Sequence, residues 1–131
     1  MKYLCLVYVD EKMLENMSQA QSQALVDQSL DHDDTLRRSG HLIAANALHP
    51  VRAATTLRAR KGKILVTDGP FAETTEQVGG FVLIEAKDLE EAIQLASEIP
   101  PLRLGGIEIR AIQELTHSRE LTKSSSTANS D

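Results

Sequence analysis

No tryptophan occurs in this chain, and only two tyrosines and two phenylalanines. Aromatic residues at 3% offer no platform for stacking the bases of single-stranded nucleic acid. Positive charge is also scarce: 14 Lys and Arg stand against 19 Asp and Glu, a formal net charge of −5. That balance argues against a nucleic-acid partner, which takes a basic stripe. The best basic run, Arg58-Ala59-Arg60-Lys61-Gly62-Lys63, falls on an expected strand and turn, where charges face water. A single cysteine, Cys5, excludes an internal disulfide. No Cys/His grouping has the spacing of a zinc site, so neither metal nor cofactor is expected. Such cysteine usage suits a reducing compartment, read as cytoplasm. No apolar run approaches the roughly 20 residues of a membrane span. Met1-Lys2-Tyr3-Leu4 reads as a folded strand and not as a signal peptide.

What is present is enough apolar residue, 41% of 131, for one core and one domain over residues 1–115. Tyr3 to Val9 is apolar on both alternating faces, the mark of a strand covered on both sides. Asp10 to Met17 reads as a connector. Ser18 with Gln21 forms a capping-box pattern, Arg37 and Arg38 suit a last helical turn, and Gly40 suits the stop. A helix from Gln19 to about Ser39 follows. His41 to Leu48 is expected as a strand, and Ala53–Arg60 with Lys63–Thr67 as a hairpin around Lys61-Gly62. Val78 to Glu85 is a further strand, and Gly79-Gly80 at its start suggests a bulge or a close backbone approach. Asp88 and Glu91 open a second helix that Pro100-Pro101 ends. Ile107 to Leu115 is the last strand. From Thr116 to Asp131 the chain is too polar to offset its ordering entropy and reads as a disordered tail.

Without the inserted hairpin this order is βαββαβ, an α+β ferredoxin-like unit. Helices cover one face of such a sheet. The apolar second face asks for a partner, and two sheets packed face to face make a dimeric α+β barrel, here a homodimer.

Val66-Thr67-Asp68-Gly69-Pro70-Phe71-Ala72-Glu73-Thr74, followed by Glu76-Gln77 and Gly79-Gly80-Phe81, resembles the DGPF branch of the YCII-related (YciI-like) family. KYLCLVYVD, SGHLIAANAL, DLEEAIQLASEIP and GGIEIR extend the resemblance from Met1 to about Leu115. It implies the same fold, in small bacterial proteins that are mostly uncharacterised. The acid–base pair proposed for the YciI branch, a His on the first helix and an Asp near the end of the second, is not met here. Those positions fall near Ser29 and Ile99. Genes of the DGPF branch often neighbour those of extracytoplasmic-function sigma factors, which implies a regulatory or stress setting.

Three functions stay open. The first is a pocket for a small organic molecule beside the DGPF segment, with Ser29, Asp68, Gly69, Pro70, Phe71, Glu73, Thr74 and Glu76 as candidate ligand-binding residues. The second is an acid–base enzyme of lyase, isomerase or hydrolase type, using Asp68 and His32. Helical spacing puts Leu25, Ser29, His32 and Leu36 on one stripe, whereas Asp31, Asp33 and Asp34 are expected on a solvated face. The third is a protein-interaction module without a ligand. Cys5 is expected as a small core residue.

Overall fold

The computed structural model describes residues 1–121. Six strands and three helices run in the order β1 (Lys2–Asp10), α1 (Glu11–Glu15), α2 (Gln19–Arg38), β2 (Leu42–Ala47), β3 (Thr55–Arg60), β4 (Lys63–Asp68), β5 (Glu76–Glu85), α3 (Leu89–Ala96) and β6 (Gly105–Ala111). The main sheet has the order β2-β5-β1-β6, and each neighbouring pair is antiparallel. This is the ferredoxin-like α+β unit, with β3 and β4 inserted as a separate two-stranded sheet.

Alternation along β1 decides which side carries the helices. Tyr3, Cys5, Val7 and Val9 are at most 5% exposed and join Val82 and Ile84 of β5 in the core. Leu36 from α2 and Ala92 and Ala96 from α3 close over them. The two alanines let α3 approach the sheet closely. Leu4, Leu6 and Tyr8 take the other face, paired across the sheet with Leu83, Phe81 and Val78. These residues are only half-buried, and the helix residues of the core lie against the opposite face.

Local chemistry explains the helix ends. The Ser18 hydroxyl accepts from Gln21 N–H, and the Gln21 side chain accepts from Ser18 N–H, a complete capping box. Asp88 accepts from Glu91 N–H, while the Glu91 carboxylate reaches Lys87 N–H. Glu91 also faces His41, whose Nδ1 contacts the Ser39 hydroxyl at 2.7 Å, so the end of α2 is tied to the start of α3. In β5 the register shifts at Gly79, which stands as the extra residue of a bulge, and Gly80 lies against the β2 backbone.

Several boundaries differ from expectation. The connector after β1 contains α1, because Asp10 caps it by accepting from Lys12 N–H. The 3₁₀ turns Val51–Ala53 and Pro100–Leu104 were not expected. The last strand ends at Ala111 and not at Leu115. Ile112 N–H bonds Lys2 C=O, and β1 offers no residue beyond that to pair with. Residues 118–121 form one helical turn, and the remainder of the anticipated tail, residues 122–131, lies outside the described residues.

The hairpin is the outlying part. Lys61 (φ 50°) and Gly62 (φ 77°) make its tight turn in the left-handed region. Its strands make their substantial contacts with each other. The ladder pairs Leu57 with Val66 and Ala59 with Ile64 on one face, and Arg58 with Leu65 and Arg60 with Lys63 on the other. The first face is therefore apolar and the second cationic. Leu57, Ile64 and Val66 are each more than 60% exposed.

Candidate functional site

The ladder of β1, β5 and β2 forms the floor of a cavity of about 640 Å³, and α2 forms its roof. Val7, Val9, Val82 and Ala45 rise from the sheet, and Leu25 descends from α2. Such a wall is predominantly apolar, and the volume suits a small organic molecule. Polar residues also line it: Ser29, His32 and Asp33 from α2, Glu11 and Glu15 from α1, and Arg52 after β2.

α2 positions the first three. Leu25 and Leu36 are buried and fix the helix rotation, so residues 29, 32 and 33 fall along the same side. The Ser29 hydroxyl donates to Leu25 C=O at 2.8 Å, which leaves its lone pairs free to accept. His32 and Asp33 are half-buried, and their side chains make no hydrogen bond among the described residues. Burial pushes the Asp33 carboxyl above its usual range, and the nearby His32 and Arg37 oppose that shift. The Glu11 carboxylate accepts from Val51 N–H at 3.0 Å and thereby anchors the Pro50–Arg52 wall. An adjacent imidazole and carboxyl of this kind can accept or deliver a proton beside a bound molecule. Among the described residues, no group of three His, Cys, Asp or Glu side chains is arranged to hold a metal.

The predicted site residues separate into three places. Ser29 and His32 line the large cavity. Thr74 and Glu76 line a shallow, open hollow with Tyr8, Gly105, Gly106 and Glu108. Asp68, Gly69, Pro70, Phe71 and Glu73 line neither. The reason is topological: β4 pairs with β3 and not with the main sheet, so its end travels with the hairpin. Asp68 closes the hairpin ladder opposite Thr55, and its side chain makes no hydrogen bond among the described residues.

The segment is nonetheless well tied down. Gly69 (φ 109°) donates its N–H to Ala54 C=O, and the Thr56 hydroxyl donates to Gly69 C=O. Arg58 stacks 4.1 Å over the Phe71 ring and donates to Phe71 C=O. The Gln77 side-chain amide donates to Ala72 and Thr74 C=O, and the Thr74 hydroxyl to Glu76 C=O. These bonds account for the Arg, Thr and Gln in and around the motif as loop-forming groups.

Asp33 lines the cavity, against the expectation that it faces solvent. Leu25, Ser29 and Asp33 follow a spacing of four, which is a helical face, but the acidic run Asp31–Asp34 draws it toward solvent. Glu11, Glu15 and Arg52 reach the cavity only through tertiary contact. Among the described residues no helix is long and apolar enough to cross a membrane.

Comparison with known proteins adds kinship. An uncharacterised protein of Rhizobium meliloti (strain 1021) is 33% identical over 114 residues, 86% of this chain and 92% of that protein. The 5-chloro-2-hydroxyhydroquinone dehydrochlorinase of Burkholderia phenoliruptrix AC1100, solved in complex with 2,5-dihydroxybenzoquinone, superposes with a TM-score of 0.42 and 14% identity. That superposition covers 92% of this chain and 98% of that one. The profile of the YCII-related domain matches residues 1–116, the whole of the sheet and its helices. The chain belongs to the YCII-related family.

Proposed function

We propose that the chain binds a small, largely apolar organic molecule in the cavity between α2 and the sheet, and acts as a homodimer through its half-buried sheet face. The observation that carries the binding reading is the cavity itself, about 640 Å³ with an apolar floor and with Ser29, His32 and Asp33 at its polar side. An apolar body would sit over Val7, Val9 and Val82, and its polar group would meet the α2 residues. The dimer reading rests on Leu4, Leu6, Phe81 and Leu83, an apolar set with no core helix over it among the described residues.

A thermal-shift screen of metabolites against wild type, Ser29→Leu and Asp68→Ala tests the binding. A ligand at 100 times its Kd stabilises the native state by about 2.7 kcal/mol. Hits that protect wild type and Asp68→Ala but not Ser29→Leu are expected. Hits that protect Ser29→Leu equally would place binding elsewhere.

A second reading, acid–base catalysis, is favoured by one observation: Asp33 adjoins His32 on the cavity wall and its carboxyl is raised by burial. Asp68 stands outside that cavity, so this reading uses Asp33 in its place. His32→Gln and Asp33→Asn should then keep ligand protection while turnover is lost.

A further inference from the structure

We infer that the β3–β4 hairpin is a docking arm that seats its apolar face on a second copy of this chain. The inference rests on the homodimer reading and goes beyond it, because it assigns part of the interface to the arm and not to the sheet face. An isolated two-stranded hairpin is marginally stable in water and needs something to pack against. This one has an apolar face formed by Leu57, Ala59, Ile64 and Val66, and among the described residues neither strand packs substantially on another strand or helix of its own chain, its side-chain ties running to the loop after β4.

Charge selects a copy of the same chain. The arm carries Arg58, Arg60, Lys61 and Lys63 against Asp68 alone, in a chain whose net charge is −5. The rest of the chain is therefore strongly acidic, and a cationic arm meets an attractive surface on any second copy. The cationic and apolar faces are opposite sides of one ladder, so the arm can bury one while the other meets acidic side chains or solvent.

Sedimentation over a concentration series up to about 100 µM tests the inference with wild type, Ile64→Lys plus Val66→Lys on the arm, and Leu6→Lys on the sheet face. Wild type is expected as a dimer, with Kd raised at least roughly 30-fold by the arm substitutions. Ile64 and Val66 make no core contact, so the arm variant should keep its far-ultraviolet spectrum and unfolding midpoint extrapolated to monomer. Amide exchange across Leu57–Val66 of wild type should slow with rising protein concentration, which needs no variant to fold. A monomeric wild type would overturn both the dimer and the arm. A dimer that Leu6→Lys weakens and the arm substitutions do not would overturn the arm alone, leaving that face for a different protein.

Discussion

Arg58 and Phe71 hold each other twice: the guanidinium lies 4.1 Å from the ring centroid, and Nη2 donates to the Phe71 carbonyl at 3.3 Å. The first residue belongs to β3 and the second to the loop after β4, so the pair fastens the DGPF segment to the base of the hairpin. Phe71 is 68% exposed, so the contact is worth about 0.5–1 kcal/mol. Phe71→Ala is expected to lower global stability by no more than that, while amide exchange at residues 69–73 rises several-fold. Unchanged exchange there would show that Thr56 and Gln77 hold the segment without the stack.

Cys5 is fully buried, and burial pushes its thiol from 9.0 up to about 11. The unfolded chain therefore ionises first as pH rises. This contribution to stability is intact below pH 9 and is lost as pH climbs through about 11. Cys5→Ala should show a shallower alkaline loss than wild type, after the cost of the smaller side chain is allowed for. In the native protein a thiol reagent should react at the rate of unfolding, and fast stoichiometric labelling at neutral pH would contradict the burial.

Asp33 titrates with the opposite consequence to an ion-paired carboxylate. Its native pKa is raised by burial, so its protonated form suits the fold better than its charged form. The favourable contribution is present below the ordinary value near 3.8 and is lost as pH rises through the native value. Asp33→Asn should be more stable than wild type at neutral pH, by at most about 0.5 kcal/mol because solvent screens a half-exposed group. The gap should close in acid, as read by denaturant melts at both pH values.

Gly80 has no room for a side chain. A Cβ there would stand 2.8 Å from the Asn46 carbonyl oxygen and 3.3 Å from the Ala47 Cα, both backbone of the edge strand β2. Gly80→Ala must push β2 aside at a cost of about 1–3 kcal/mol. At Gly106 the same atom would meet nothing within 4 Å, so Gly106→Ala is the matched control. Urea midpoints at constant m-value report both. Because β2 also supplies Ala45 to the cavity floor, Gly80→Ala should weaken ligand protection as well.

What could be read from sequence follows the range of the interaction. Ser18 with Gln21 and Asp88 with Glu91 are pairs three residues apart, and the helix starts they predict are present. The double apolar alternation of Tyr3–Val9 located the central strand. Leu25, Ser29, His32 and Leu36 fell on one face because two large apolar residues bracket the polar ones. The end of β6 was misplaced because it depends on where β1 begins, about 100 residues away in the chain. The DGPF segment was legible as a turn but not as the end of a hairpin separate from the main sheet. Alternation at Leu57, Ala59, Ile64 and Val66 would look the same whether those strands joined the main sheet or stood apart.

The position of β1 at the middle of the sheet also sets a waiting time. Lys2 pairs with Glu85 on one side, and Tyr3 pairs with Ala111 on the other. Synthesis at 5–20 residues per second separates Lys2 from Glu85 by roughly 4–17 s. Throughout that interval the central strand, with four of the buried core residues, exists with neither neighbour made. Its contacts are among the longest in sequence, a topology that slows folding and leaves the strand open to wrong pairings on or near the ribosome. The hazard comes from chain order, not from the strand's composition, and a circular permutant opened at the Lys61-Gly62 turn would bring β5 and β6 out before β1.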